Sequence, residues 1–302
     1  MTVHYIDFSL TDGSRICVQR LDSLLLMPNI QSDGSIAPHA HEYYEIVLIR
    51  EGSCRHFYDQ DETILLPGDL FVIAPHRVHA YQFAEDLTYY NCQFFMEALG
   101  SEWLEDLQNL TYDRLQDPAD DAENPGIGKI NRRGILHLDR SEIDRTSQYF
   151  ELILEEQNNP KPDTERMKRC VLQMVLCKLL RLREIQFSSE GKAEQWKEQM
   201  VSETLARFEN DLSENWDTDE LASGYNISSS YFRSVFREIT GFPPRHYLNR
   251  LRILHAVRLI HYQGMSLNDA SQAIGIFDFN YFSRLCKNIT GYPPSHYRRS
   301  EE

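Results

Sequence analysis

The segment SSYFRSVFREITGFPPRHY, which begins at Ser229, is written a second time fifty residues later as FNYFSRLCKNITGYPPSHY, beginning at Phe279. Self-similarity at a fixed period means two copies of one supersecondary unit, stacked close together in the chain. Each copy predicts a short helix, a turn and a longer helix. In the first, TDELASGYNI leads to Ser228, an N-cap for a helix that runs to about Thr240; Gly241 stops it and Pro243-Pro244 follow. In the second, SLNDASQAIGI leads through Asp278 to a helix ending at Thr290, with Gly291 and Pro293-Pro294 behind it.

Short helix, tight turn and basic second helix is the pattern of a helix-turn-helix, whose second helix can enter the major groove of DNA. The spacing divides the first of these longer helices into two faces. Tyr231, Phe232, Val235, Phe236 and Ile239 form a stripe to bury, while Ser229, Ser230, Arg233, Ser234 and Arg237 lie outward. In the second copy Tyr281, Phe282, Leu285 and Ile289 make the stripe and leave Phe279, Asn280, Ser283, Arg284 and Lys287 outward. Arg can grip guanine with two hydrogen bonds, Asn favours adenine, and Ser bonds to base or phosphate. A single amphipathic helix needs polar residues on its wet face for no reason but solvation. Two copies in a basic segment ask for more. From Leu221 to Ser300 ten Arg or Lys stand against Glu238, Asp269 and Asp278 alone, in a chain whose net charge is −15. A basic end on an acidic body is the footprint of a phosphate-binding module.

Between the copies runs HYLNRLRILHAVRLIHYQG, read as a helix of about 14 residues and therefore about 20 Å long. Successive major grooves on one face of DNA are about 34 Å apart, so a rigid bridge of that length calls for some bending of the DNA. The region LASGYNISSSYFRSVFREITGFPPRHYLNRLRILHAVRLI, followed by MSLNDASQAIGIFDFNYFSRLCKNITGYPPSHYR, resembles the DNA-binding domain of AraC/XylS-type transcription regulators. The likeness covers about the last 100 residues and includes Arg252 and Ala256 of the bridge, G-x-x-D-x-N-Y-F-S-R and the closing P-x-x-Y-R. It implies base contacts at Ser230, Arg233 and Ser234, and at Phe279, Asn280, Ser283 and Arg284. Two positions depart from the family pattern, Ile276 where Phe is usual and Cys286 where a buried Phe is usual; both read as smaller core residues.

The chain up to about residue 95 is built differently. YYEIVLIR before EGS, ETILL before PGD and LFVIAP before HRVH are short runs broken by turn signals, which predicts an antiparallel β-sandwich or barrel. In APHAHEYYEIVLIREGS, His39, His41, Tyr43 and Glu45 stand at alternate positions and would share one face of a strand, with Tyr44, Ile46 and Leu48 on the other. His79, Tyr81 and Phe83 alternate in the same way after the PGD turn. These motifs resemble the paired H-x-H-x-x-x-E and P-x-x-x-H of a cupin barrel, the usual sensor domain of AraC/XylS-type proteins. Three readings stay open. His39, His41, Tyr43, Glu45, His79 and Tyr81 bind an organic effector, with the tyrosines offering faces to a sugar ring; or His39, His41, Glu45 and His79 hold a divalent metal; or the histidines are structural.

The polar stretch from Glu97 to Asn131 reads as a mobile loop or insertion. Ser141 is placed as the N-cap of a helix SEIDRTSQYFELILEEQ, and ERMKRCVLQMVLCKLLRLREI follows as a second helix, greasy on more than one face. Such a helix packs on two partners: either the barrel and a second subunit, or elements of its own chain alone. Cys170 and Cys177, seven apart on it, read as core. The expected fold is α+β: residues 1–187 form a cupin-like β-barrel with a helical extension, 188–196 a linker, and 197–302 an all-α domain with two helix-turn-helix units. No apolar run suits a membrane span, the N-terminus lacks a secretion signal, and six scattered cysteines suggest no disulfide framework. The implied protein is a cytoplasmic, homodimeric regulator that binds double-stranded DNA and a small effector, and is not an enzyme. The alternative is a metal-binding cupin enzyme with a DNA-binding tail.

Overall fold

The computed structural model describes residues 4–5, 15–22, 35–59, 61–83, 87–111, 132, 134–186 and 189–298. The N-terminal half holds two five-stranded sheets. One has the order β1 (His4–Tyr5), β3 (Ser35–Ala40), β8 (His79–Phe83), β5 (Cys54–Tyr58), β6 (Asp61–Leu65). The other has the order β10 (Leu136–His137), β7 (Asp69–Ile73), β4 (Tyr44–Glu51), β9 (Thr88–Phe94), β2 (Ile16–Asp22). The pairs are antiparallel except β1 with β3. This is the antiparallel arrangement expected from the short alternating runs, and the cupin-like barrel that the resemblance of the histidine motifs implies.

Period-2 patterning gives β4 two different jobs. Val47 and Ile49 face the barrel interior with Phe71, Ile73 and Tyr89. Ile46 and Leu48 face outward and are buried under helices with Val18, Leu70, Val72 and Phe94. Those helices are α1 (Leu104–Leu110), α2 (Arg140–Asn158) and α3 (Thr164–Gln186). The turn before β7 depends on Gly68, whose φ is +97° and whose Cβ would lie 2.2 Å from the Leu138 carbonyl oxygen.

Several local expectations change. Residues 96–98 and 101–103 form single 3-10 turns and α1 follows, because Leu107 and Leu110 stand three apart and are both buried; the rest of the expected loop, 112–131, lies outside the described residues. The N-cap of α2 is Asp139, not Ser141: its carboxylate accepts from the Glu142 amide at 2.9 Å, and Ser141 donates to it in turn. The expected linker is helical from Ser189, within α4 (Ser189–Asn210), since KAEQ continues a helix readily. Cys170 and Cys177 are exposed, because α3 turns Val171, Leu172, Val175 and Leu176 to the core instead.

The C-terminal half is helical: α5 (Thr218–Ser223), α6 (Ser229–Thr240), α7 (Pro244–Gln263), α8 (Leu267–Ala273) and α9 (Phe279–Thr290). The caps repeat as the sequence does. Ser228 and Asp278 accept from amides of the first turns of α6 and α9. Gly241 and Gly291 end them at φ +84° and +82°. Thr240 and Thr290 bond back to the carbonyls of Phe236 and Cys286 at 2.7 and 2.8 Å. The bridge α7 has 20 residues, longer than expected because Pro244 already stands in its first turn. Its axis is therefore about 30 Å long. Arg252 is anchored to the Leu212 and Glu214 carbonyls at 2.6 and 2.7 Å, fixing α7 against the loop after α4. Ile276 and Cys286 are both buried, as smaller core residues should be, and the Cys286 thiol donates to the Tyr292 carbonyl. Among the described residues no helix is long and apolar enough to cross a membrane.

The two halves touch through the barrel's first sheet. Ile64 and Leu66 join the core formed by α4, α5, α6 and the start of α7. Tyr247 of α7 donates to Ser53 at 2.9 Å, both residues buried. Arg55 of β5 reaches Glu209 at 3.3 Å and Asn210 at 3.2 Å, at the end of α4. Burial pushes the Glu209 carboxyl up to about 7, against the pull of that guanidinium. A carboxyl that titrates higher folded than unfolded is best tolerated below its ordinary pKa, and its contribution falls as pH rises toward 7. Wild type should therefore lose roughly 1–3 kcal/mol more stability between pH 5 and 8 than Glu209→Gln, as read by denaturant unfolding; parallel pH profiles would contradict this.

Candidate functional site

Two groups of residues were singled out by the sequence, and the fold treats them differently. In the barrel, β3 and β8 pair so that His39 lies opposite His79. The chain then leaves the first sheet at Ala40 and re-enters the second at Tyr44. The alternating set His39, His41, Tyr43 and Glu45 is thus not one strand face. It crosses from sheet to sheet, and its members meet across the interior.

Hydrogen bonds fix how these groups point. His41, His39 and His79 each engage a backbone carbonyl through Nδ1: Tyr43 at 2.7 Å, Ala37 at 3.0 Å and Arg77 at 3.3 Å. A carbonyl only accepts, so each Nδ1 carries the proton, and His41 and His79 present a buried Nε2 to the interior. Glu45 is held the same way at one end, where Oε1 accepts from Asn91 at 3.1 Å and from Gln93 at 3.3 Å. Its Oε2 lies 3.5 Å from Nε2 of His41 and 3.5 Å from Nε2 of His79. These three atoms are buried without a hydrogen-bond partner, and they lie within 4.8 Å of one another. Burial alone would raise the Glu45 carboxyl, but the two imidazoles outweigh it and hold it well below the usual carboxylate range.

Two imidazole lone pairs and a carboxylate aimed at one point require something positive between them. Protons on the rings, a divalent metal, or the hydroxyl donors of a polar ligand would each serve. The trio fits a metal in donor type and spacing, with three N/O ligands that suit a first-row transition ion. His39 stands beside this trio, its ring centroid 4.1 Å from that of His79, and burial, reinforced by His79, lowers its pKa to about 4. Tyr43 stacks on His41 at 4.1 Å. Tyr81 stacks at 4.8 Å on His56, a fully buried histidine absent from the motifs above. Asn91 and Gln93 were missed as well, and both keep a buried side-chain oxygen without a hydrogen-bond partner. The signal was available: Cys54, His56 and Tyr58 alternate on β5, as do Tyr89, Asn91 and Gln93 on β9. Polar residues at inward positions of a buried strand are the anomaly to look for.

In the helical half the expected faces largely hold. On α6, Ser230, Arg233, Ser234 and Arg237 are exposed and Ser229 is half-buried, while Phe232, Val235 and Phe236 are buried. On α9, Phe279, Asn280, Arg284 and Lys287 are exposed and Ser283 half-buried, over Phe282 and Cys286. Tyr231 departs from its stripe: it is exposed and stacks at 6.2 Å on Trp196 of α4. Ile239, Tyr281, Leu285 and Ile289 are partly buried.

Residues 29–157 match the family model of the AraC-like ligand binding domain, and residues 221–300 match that of a helix-turn-helix domain. The chain is 26% identical over 247 residues to the HTH-type transcriptional activator RhaR of Cronobacter sakazakii, covering 81% of this chain and 80% of that protein. It is 24% identical over 282 residues to the HTH-type transcriptional activator RhaS of Escherichia coli, covering 93% of this chain and 91% of that one. Substitutions on the outward faces of α6 and α9 should therefore divide by chemistry. Arg233→Ala and Arg284→Ala should each cost about 1–3 kcal/mol and relax preference at one base pair, whereas Lys287→Ala should weaken all sequences alike and lower the salt slope by about one. Competition binding against point variants of a target site measures both, and unchanged site preference in both Arg variants would contradict the assignment.

Proposed function

Because this chain belongs to the AraC/XylS-type transcriptional regulators, DNA-binding proteins with a cupin-like ligand domain, we propose that it reads two adjacent DNA segments with α6 and α9 under the control of a polar effector bound in the barrel. One observation carries this reading: buried polar atoms from both sheets meet inside a barrel whose first sheet shares a core with α4 and the reading helix α6. The effector we propose is a carbohydrate. Its hydroxyls would donate to Glu45 Oε2 and to the Nε2 atoms of His41 and His79, and its ring would lie against Tyr43 or Tyr81. The protein acts in the cytoplasm as a regulator and not as an enzyme. Both relatives are named activators, and activation is the direction proposed for this chain.

Effector control needs the ligand to favour one arrangement of barrel and helices over another. A thermal-shift screen of sugars, followed by DNA binding with and without the hit, tests this. The expected result is a stabilising sugar whose effect is lost in Glu45→Ala and which changes DNA affinity. A screen with no hits, or a hit indifferent to Glu45, would count against it.

A second reading of the barrel rests on the trio of orphaned ligand atoms, which would hold a divalent metal as part of the effector site. His41→Ala should then lower zinc affinity by at least about tenfold in titrations of the full chain. Turnover of a substrate by the metal-loaded protein, lost in the same variant, would favour the enzyme alternative.

We also propose a homodimer through α3. Met167, Cys170, Met174, Cys177 and Arg181 recur at steps of three and four along its outer side, and all are exposed, the methionines at 44% and 51%. That narrow a/d-type stripe is the seam of a two-helix coiled coil. Met174→Lys should shift the protein toward monomer in sedimentation experiments without unfolding it; an unchanged mass would sink the assignment.

A further inference from the structure

Phe277 is the most exposed large apolar side chain among the described residues, with 82% of its surface open. Comparing the two helix-turn-helix units explains why it stands there. Up to the turn they align with a shift of 49 residues. Asp217 and Ser266 cap the first helices, Asn226 and Gly275 take the positive φ, and Ile227 and Ile276 donate to the carbonyls of Ala222 and Ser271. After the turn the shift is 50: Ser228 and Asp278 cap the second helices, and Phe232 and Phe282 are the buried anchors. The second turn therefore contains one residue more than the first, and that residue is Phe277.

Nothing in the chain's own packing asks for a phenylalanine at this place. A hydrophobic residue just before an N-cap often folds back onto the fourth helical residue. Here that residue, Phe282, is already covered, and Ile276 fills the core beside it. Phe277 instead projects at the N-terminal end of α9, next to Phe279, which is 42% exposed. The N-terminal residues of a reading helix are those that meet base edges. The one apolar group that the bases show in the major groove is the 5-methyl of thymine. Asn280, Arg284 and Lys287, exposed along α9, give this apolar end a polar and cationic setting that suits a polyanion better than a lipid or an apolar protein surface.

We propose that Phe277, with Phe279, reads a thymine methyl beside the bases contacted by Asn280 and Arg284. This makes the second unit specific through an apolar contact that the first unit lacks. The proposal rests on the DNA-reading role of α9.

The test uses the full chain and a DNA site that it selects from a random pool. Each thymine in the half bound by α9 is replaced in turn by deoxyuridine, which removes only the methyl. For wild type, one replacement should weaken binding about fourfold, the worth of one buried methyl. Phe277→Ala should bind the thymine site about as weakly and be indifferent to that same replacement, so the two losses do not add. Phe277 is on the surface, so the variant's Tm should match wild type. Binding by Phe277→Ala equal to wild type, or losses that simply add, would overturn the methyl contact alone. Absence of any salt-sensitive DNA binding would overturn the role of α9 and this proposal with it.

Discussion

The helix α7 is shared between two cores, and the C-terminal half depends on that sharing. Tyr247, Leu248 and Leu251 on its first turns belong to the cluster that holds α4, α5 and α6. Ile253, Ala256, Leu259 and Ile260 belong to the cluster that holds α8 and α9. Neither small unit could bury its aromatic stripe alone; each borrows the same helix as a wall. Arg252 sits between the two sets and ties α7 to the loop after α4. The relative placement of the two reading helices is consequently a property of one continuous helix, which is a stiff element over about six turns.

The helical half was nearly all legible in advance, because its signals are local. Ser228, Asp278, Gly241 and Gly291 act within a single turn of helix, and the structure uses each where its chemistry suggests. What local signals cannot convey is which partner arrives from elsewhere. Tyr231 fitted a buried stripe by spacing but stacks on Trp196 in the open. Cys170 and Cys177 fitted a core and face out, since the helix had better apolar residues for the inside. The one-residue difference between the two turns was hidden by a repeat defined on the second helices alone.

In the barrel the motif residues were legible and their geometry was not. Alternation suggested four groups on a single strand face. The chain instead changes sheets between Ala40 and Tyr44, so His39 and Glu45 approach from opposite walls. That same crossing brings Glu45 between His41 and His79 and seats its other oxygen on Asn91 and Gln93. His56 carried no motif and could be reached only by asking why a buried strand keeps a polar residue inside.

The alternation of β5 has a consequence for how the molecule is partitioned. His56 points into the barrel and stacks with Tyr81, while its chain neighbour Arg55 points out to Glu209 and Asn210. Between the barrel interior and α4 stands this single strand, whose outward side chain Arg55 reaches the helix directly. The wall is one peptide thick, and inside and outside are adjacent residues. A strand in that position is less a partition than a shared membrane of a drum, struck from one side and felt on the other.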